Sequence, residues 1–323
     1  MLHNSAFEIQ PHSPLSFKET VDIEEHAGNM SGWDVRYDQI SAGQFAGSIT
    51  ELNLAGMQLI RDKSNQAIIK NGASVPDTIM FTLPLAPVIE NLYCEGHVFN
   101  PSNLLVSNWQ NLPEIKTPAN LDVICINAEK LLLQNALDRQ NIILDISDTA
   151  HCYGLDKIGN QDELLTLLKT VMTPNNTQAL LEHEAIRKGI RDTLLQSLLE
   201  LVNEEEVQYL TSLARKRIVD KARDYVLANI NDAPSIVDLC NNVGASRRKL
   251  QYCFQETLGI NPVTYLRTIR LNSVHRELLM QDSTKQVQNI AAKWGFLHLS
   301  RFANDYRQLF GELPSDTLKR NQE

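Results

Sequence analysis

The sequence predicts an α+β protein, in which an N-terminal β-barrel or sandwich with helices precedes a C-terminal all-α domain containing two helix-turn-helix units. Three observations predict this organisation. Short β-branched segments fill the first part of the chain, a helical unit occurs twice near the C-terminus, and charge divides unevenly between the two parts. We place the domains at residues 1–206 and 207–323.

The strand-like segments lie between about residues 33 and 127. They are short and partly alternating, as in DTIMFTLPL, NLLVSN and LDVICIN, and turn sequences such as NGASVP and QNLPEIKTP separate them. This pattern is typical of an antiparallel barrel or sandwich. Helices are expected to follow, in NAEKLLLQNALDRQ, NQDELLTLLKTVM and TQALLEHEAIRKGIRDTLLQSLLELVNEEE.

The last of these helical segments carries an apolar residue at every fourth position, namely Ile186, Ile190, Leu194, Leu198 and Val202. Such a stripe has two interpretations. It can pack on the predicted sheet, or it can form the seam of a homodimer.

Charge separates the two parts of the chain. Residues 213–323 contain 17 Lys and Arg against 11 Asp and Glu, a balance of +6. Residues 1–212 contain 13 against 28, a balance of −15, and together the two parts give the net charge of −9. A basic C-terminal part on an acidic protein is expected when only one domain meets a polyanion.

The basic part contains one unit twice, beginning with LCNNVGAS and with IAAKWGFL. Gly244 and Gly295 each allow the positive φ of a sharp turn between two helices. Each copy ends in Gly-x-x-Pro, at 259–262 and 311–314, where Gly stops one helix and Pro opens the next. The repeat predicts two helix-turn-helix units, at about residues 235–257 and 287–310.

The second helix of each unit has an expected N-cap, Ser246 or His298. Its apolar face is formed by Leu250 and Phe254 in the first unit and by Phe302 and Tyr306 in the second. Between the units the pattern predicts one connecting helix of about 18 residues, roughly 27 Å long. Such a connector could place two recognition helices in successive major grooves, roughly 34 Å apart.

The stretch from SIVDLCNNVGAS to RQLFGELPS resembles the DNA-binding domain of AraC/XylS-type bacterial transcription regulators, over roughly residues 212–320. It departs at Asn289, where the family often has Asp before Ile-Ala, which is a change at a helix cap. The resemblance implies a sequence-specific, effector-responsive activator in the cytoplasm. Its implied partners are double-stranded DNA and RNA polymerase.

The resemblance also implies which side chains meet DNA. Arg can bond guanine and Gln can bond adenine through two hydrogen bonds, whereas basic residues beside them bond phosphates. The implied base-reading residues are Arg248, Gln251, Tyr252, Ser300, Arg301 and Asn304, with Leu299 on the same face. The implied phosphate-binding residues are Arg247, Lys249, Lys293 and Arg307.

No enzyme, metal site or cofactor is expected. The histidines of the first half are isolated, and its three cysteines lack a C-x-x-C pair. No G-x-S-x-G, phosphate-loop or dinucleotide fingerprint occurs. Five widely spaced cysteines suit reduced thiols in a cytoplasm, and no apolar run approaches the ~18 residues of a membrane span.

The N-terminal segment WDVRYDQISAGQFAGSITELNLAGMQLIRD is similar to regulators of ethanolamine-utilisation operons, which implies an ethanolamine-like effector. Those regulators also respond to adenosylcobalamin, but no D-x-H-x-x-G signature for that cofactor occurs here. The alternative is a ligand-independent regulator, whose N-terminal domain serves homodimerisation or another protein interaction.

Overall fold

The computed structural model describes residues 14–88, 90–100, 102–144, 149–154, 161–203, 207–230, 234–280 and 286–320. The strands are β1 Leu15–Thr20, β2 Asp34–Gln39, β3 Gly47–Leu54, β4 Met57–Ser64, β5 Ile68–Ala73, β6 Thr78–Pro84, β7 Leu92–Cys94, β8 His97–Phe99, β9 Asn103–Asn108, β10 Leu112–Lys116, β11 Leu121–Glu129, β12 His151–Gly154 and β13 Val207–Tyr209. The helices of the same part are α1 Ile23–Gly28, α2 Lys130–Gln140, α3 Gln161–Val171, α4 Pro174–Leu181 and α5 Glu184–Asn203.

The strands form two antiparallel sheets. One has the order β1-β3-β4-β11-β6-β9-β12-β13, and the other has the order β2-β5-β10-β7-β8. Both sheets contribute side chains to one apolar cavity, so they face each other across it. The α+β class is confirmed, and within the described residues the sandwich alternative describes the strands better than the barrel.

Helices α2 to α5 form a second layer whose apolar side chains join the core on the eight-stranded sheet. Leu194 and Leu198 of α5 are fully buried in this core. The apolar stripe of α5 therefore packs within its own chain, as the first of the two interpretations expected.

Two helix boundaries differ from the prediction. The long helix predicted from residue 177 to 206 is broken into α4 and α5, and Arg187 Nη1 donates to the carbonyl oxygen of Leu181 at the break. The helix predicted from Asn127 begins only at Lys130. Asn127 instead continues β11, because it pairs there with Gln58 of β4 and with a residue of β6.

The predicted domain boundary falls just before β13. This strand pairs with β12 in the eight-stranded sheet, with Tyr209 opposite His151. Residues 207–209 therefore extend the N-terminal sheet. No helix among the described residues is long and apolar enough to cross a membrane.

The C-terminal helices are α6 Ala214–Ala228, α7 Ile236–Val243, α8 Arg247–Leu258, α9 Pro262–Leu279, α10 Val287–Lys293, α11 Leu299–Phe310 and α12 Pro314–Arg320. Helices α6 to α8 enclose one apolar core with the first half of α9, and α10 to α12 enclose another with its second half. Helix α9 has the 18 residues expected of the connector.

The local signals of the repeat act as their chemistry suggests. Gly244 ends α7 at φ +66°, and Gly311 ends α11 at φ +77°. Ser246 caps α8, since its hydroxyl oxygen accepts from the Lys249 amide at 3.2 Å. His298 is the N-cap residue of α11, as predicted, but its side chain makes no capping hydrogen bond.

Candidate nucleic-acid interface

The second helix of the first unit, α8, separates a buried face from a polar face. Leu250, Cys253 and Phe254 are fully buried against the rest of the unit. The polar face is exposed and contains all five side chains that the resemblance assigned to DNA in this unit, Arg247, Arg248, Lys249, Gln251 and Tyr252. The Lys249 ammonium lies 5.8 Å from the centre of the Tyr252 ring. The sharp turn at Gly244 and the Ser246 cap hold this face outward.

Helix α11 of the second unit has the same division. Phe302 and Tyr306 are buried, whereas the outward side chains are exposed, namely Leu299, Ser300, Arg301, Asn304 and Arg307. An exposed leucine at the first position of the helix can contact a thymine methyl group. The structure thus brings the implied base-reading residues of each unit onto one solvent-facing surface.

Lys293 differs from the other residues implied to bind phosphate. Its ammonium bonds both carboxylate oxygens of Glu277 in α9, at 2.9 and 2.8 Å. The carboxylate offsets the charge that a phosphate would use, so phosphate binding would require Lys293 to exchange partners.

Sequence reasoning missed a basic residue beside α11. Arg267 of the connecting helix pairs with Asp305 of α11. Burial and the positive charge of Arg301 lower the pKa of Arg267. No motif signals this residue, because only the packing of α9 against α11 brings it there.

The cavity between the two sheets has an empty volume of about 710 Å³, including its open mouth. Its walls are mostly apolar, and they include Trp33, Leu105 and Ile115. The charged groups that line it are Asp62 of β4 and Lys70 of β5. A mostly apolar lining with a few polar groups is typical of small-molecule sites.

Asp62 is the polar centre of the cavity wall. Its carboxylate accepts hydrogen bonds from the Tyr37 hydroxyl at 2.8 Å and from Lys70 at 2.7 Å, and His26 Nε2 lies 2.9 Å away. Burial would raise the pKa of Asp62, but the charges and hydrogen bonds of Lys70 and His26 outweigh burial and hold that pKa well below its usual range. Asp62 therefore stays ionised, and its charge is balanced within the wall.

The N-terminal domain contacts α6 and the connector α9 through charged groups that sequence reasoning missed. Glu114 of β10 pairs with Lys216 at 3.1 Å and with Arg223, both on α6. Asp38 of β2 accepts from Arg276 of α9 at 2.6 Å. These acidic residues account for part of the charge division, because they neutralise basic residues of the C-terminal domain.

Uncharged groups connect the same domain to α9 and α11. The Gln39 amide donates to the Asn272 side chain at 2.9 Å, and Asn272 returns a bond to the Gln39 carbonyl at 2.9 Å. The Gln39 side chain also donates to the Leu309 carbonyl at 2.6 Å. The backbones approach so closely here that a Cβ on Gly311 would lie 2.8 Å from the Gln44 nitrogen.

One cluster of potential metal ligands occurs among the described residues. Asp22, His275 and Glu312 place ligand atoms within 4.8 Å of one another. Arg320 already supplies a cation there, because its guanidinium bonds both Asp22 and Glu312. The residues present therefore form an ion-pair network with a resident cation, which does not fit a metal site.

Comparison with known proteins agrees with this geometry. A family model of the helix-turn-helix domain matches residues 239–320. The chain is 34% identical over 148 residues to the probable thc operon regulatory protein of Rhodococcus erythropolis, and the alignment covers 45% of each protein. It is 36% identical over 101 residues to XylDLEGF operon transcriptional activator 2 of Pseudomonas putida, covering 31% of this chain and 64% of that protein.

A longer alignment reaches into the N-terminal domain. It joins the chain to XylDLEGF operon transcriptional activator 1 of Pseudomonas putida, with 25% identity over 228 residues, 70% of this chain and 69% of that protein. Among solved structures, a probable AraC family transcriptional regulator from Rhodopseudomonas palustris is 33% identical with a TM-score of 0.31, covering 32% of this chain and 97% of that one. The chain thus spans about half the length of the first relative and under two thirds of the second.

Proposed function

Because the chain belongs to the AraC/XylS family of transcription regulators, we propose that it is a sequence-specific DNA-binding regulator that activates transcription in response to a small molecule. The exposed polar faces of α8 and α11 carry this proposal, since each is held outward by a buried apolar face. Relatives named as operon transcriptional activators support activation. An activator of this kind works on double-stranded DNA in the cytoplasm and acts on RNA polymerase.

The two units are proposed to read successive major grooves on one face of the DNA. Helix α9 joins them with 18 residues, which at 1.5 Å per residue span about 27 Å. Successive grooves lie roughly 34 Å apart, a distance the connector and the two units can bridge together. Arg248 in one unit and Arg301 in the other are the proposed principal base contacts.

Replacing Arg248 with alanine should reduce affinity for the cognate site by about 1–3 kcal/mol and relax the preference at one base pair, because a bidentate bond to guanine is lost. The site is first selected from random duplexes with the full chain, and affinity is then measured by fluorescence anisotropy. Arg247→Ala is the matched control, since loss of a phosphate contact should weaken all sequences alike and lower the salt dependence. An Arg248→Ala variant with the original base preference would contradict the assignment.

The cavity between the sheets is the proposed effector site. Apolar walls favour a molecule with an apolar body. The Lys70 ammonium donates one of its three N–H groups to Asp62, so it can donate another to a ligand. Ethanolamine is small and cationic, so it would meet apolar walls and the like charge of Lys70. The lining therefore favours a larger, mostly apolar molecule with one hydrogen-bond acceptor.

Thermal melting of the full chain with a metabolite panel tests this site. A ligand at a hundredfold its dissociation constant adds about 2.7 kcal/mol, which should raise the Tm by several degrees. The panel includes ethanolamine, adenosylcobalamin and apolar carboxylates of increasing size. Leu105→Phe, which fills the cavity, should abolish the shift, whereas Leu131→Phe on the exposed face of α2 should preserve it.

The alternative of a ligand-independent dimerisation module makes a different prediction for the same melts. Flat curves across the panel, with a Tm that rises with protein concentration, would replace the effector proposal by homodimerisation. A ligand shift that persists in Leu105→Phe would move the effector site away from the cavity.

A further inference from the structure

A closed ring of hydrogen bonds joins the N-terminal domain to the second helix-turn-helix unit. We call it the Asp22 ring, and its members are Asp22, His275, Tyr306, Thr317, Glu312 and Arg320. Asp22 is the only member from the N-terminal domain, and it lies 253 residues from His275. The ring runs behind α11, on the side opposite its reading face, because Tyr306 belongs to the buried face of that helix.

The links of the ring through His275 and Tyr306 are buried, and those through Glu312 and Arg320 are partly buried. His275 Nε2 lies 2.9 Å from Asp22 Oδ2, and His275 Nδ1 lies 2.6 Å from the Tyr306 hydroxyl. The Tyr306 hydroxyl is 2.9 Å from the Thr317 hydroxyl, which donates to Glu312 at 2.6 Å. Arg320 closes the ring by donating to Glu312 at 3.1 Å and to Asp22.

His275 uses both of its ring nitrogens in the ring. Nε2 faces the Asp22 carboxylate, which only accepts hydrogen bonds when ionised, and Nδ1 faces the Tyr306 hydroxyl. The imidazole therefore joins the N-terminal domain directly to the buried face of α11.

Charged and aromatic groups surround His275. Within the ring, the Asp22 and Glu312 carboxylates both pair with Arg320, and Asp22 also faces His275. Beside it, Glu24 and Asp38 pair with Arg276, and the Phe310 ring stacks on the imidazole at 4.4 Å. Burial would raise the pKa of Asp22, but the hydrogen bond from His275 and the charges of His275 and Arg320 lower it overall.

We propose that Asp22 is a positioning residue for the second DNA-reading unit. Through it, the N-terminal domain fixes the position of α11 and therefore of the base-reading side chains on that helix. This inference rests on the proposed DNA-binding function. The Asp22 carboxylate divides its two oxygens between the domains. Oδ1 caps α1 by accepting from the Glu24 and Glu25 amides, while Oδ2 accepts from the ring.

Helix α6, which shares the apolar core of the first unit, is held at a separate place by Glu114. Together with the hydrogen bonds of Gln39 to Asn272 and Leu309, these contacts fix the placement of the two units relative to each other. Two units whose relative placement is already fixed lose less conformational freedom on binding. They should therefore bind a DNA site with both half-sites more tightly than two loosely joined units would. Release of the Asp22 ring should selectively weaken the contribution of the second half-site.

Asp22→Asn in the full chain tests the proposal with little change of shape. Asparagine remains a good N-cap for α1, but its amide leaves His275 without a carboxylate and leaves Arg320 with Glu312 alone. Glu25→Gln is the matched control, because Glu25 is exposed in the same helical turn and is outside the ring. Both variants are titrated against the selected DNA site and against the same site with its second half scrambled.

For the wild type, the ratio of the two affinities measures reading by the second unit. Asp22→Asn should reduce this ratio about tenfold, since hydrogen bonds to charged groups are lost, whereas Glu25→Gln leaves it unchanged. An unchanged or increased ratio in Asp22→Asn would overturn the proposal.

Hydrogen exchange without DNA separates this result from failure of the proposed function. Amides of α11 and α12 should exchange faster in Asp22→Asn than in the wild type, while those of α8 exchange at the same rate. If α11 and α12 exchange faster in Asp22→Asn but the wild type selects no DNA sequence, the positioning contact is supported and the DNA-reading function is refuted. Equal exchange in α11 and α12 would refute the positioning role itself.

Discussion

Replacing Asp62 with asparagine should lower the free energy of unfolding by about 3 kcal/mol, because it leaves the Lys70 ammonium without its carboxylate in the cavity wall. This value is at the low end for a broken buried pair, since the Lys70 side chain retains 14% exposure. The Tyr37 hydroxyl and His26 lose an ionised acceptor at the same time. Urea denaturation of the full chain measures the change.

A thermodynamic cycle separates the charge effect from the loss of shape. Lys70→Met in the Asp62→Asn background removes the stranded cation, so the double variant should be more stable than Asp62→Asn alone. Glu184→Gln, which breaks an exposed ion pair with Lys188, serves as the control and should leave stability unchanged. A double variant that is less stable than Asp62→Asn would show that the unpaired Lys70 ammonium is not what destabilises Asp62→Asn.

Acid denaturation should depend on the same carboxylate. Since the folded pKa of Asp62 is held below its unfolded value, its contribution is complete above the unfolded pKa and disappears as pH falls towards the folded one. The free energy of unfolding of the wild type should therefore decrease steadily below about pH 5. Asp62→Asn should show a shallower decrease over the same range.

Replacing Glu114 with glutamine should cost about 3 kcal/mol, the low end for a broken buried pair, since two cations of α6 lose their shared buried carboxylate and keep only Asp220 and Asp224. The side chains of Glu114 and Lys216 are 6% and 4% exposed, and Arg223 also pairs with Glu114. The pKa of Lys216 is raised because Glu114 and Asp220 outweigh burial, which indicates how strongly the carboxylate stabilises the ammonium.

The matched control for this interface is Asp224→Asn. Asp224 also pairs with Arg223 but is 68% exposed, so its loss should leave stability nearly unchanged. Differential scanning calorimetry reports both variants, and a broken interface should split the wild-type transition into two. A single transition at the wild-type Tm in Glu114→Gln would show that this ion pair does not couple the domains.

The repeated units could be predicted from the sequence because their signals are local. Gly244 and Gly311 end helices, Ser246 starts one, and Leu250 and Phe254 recur at helical spacing, so each signal acts within a few residues. The exposed reading faces follow from the same periodicity. The break between α4 and α5 has no such signal, since Glu182 and His183 continue a helical pattern without Gly or Pro.

The contacts between the domains could not be predicted in this way. Asp22 and His275 meet across most of the chain, and nothing near either residue in the sequence indicates the other. Likewise, His26 of α1 appeared isolated because its partner Asp62 lies on β4, 36 residues further along the chain. Periodicity predicts which face of an element is buried, whereas these pairings depend on which elements meet.

The short connection between the domains has a consequence for every contact they share. Strand β13 ends at Tyr209 and α6 begins at Ala214, so the chain between them spans at most about 17 Å. A short tether keeps two surfaces at an effective concentration in the millimolar range. If the interface between the domains opens, the same two domains will therefore reassociate. Domain swapping with a second molecule would require a protein concentration in the same millimolar range.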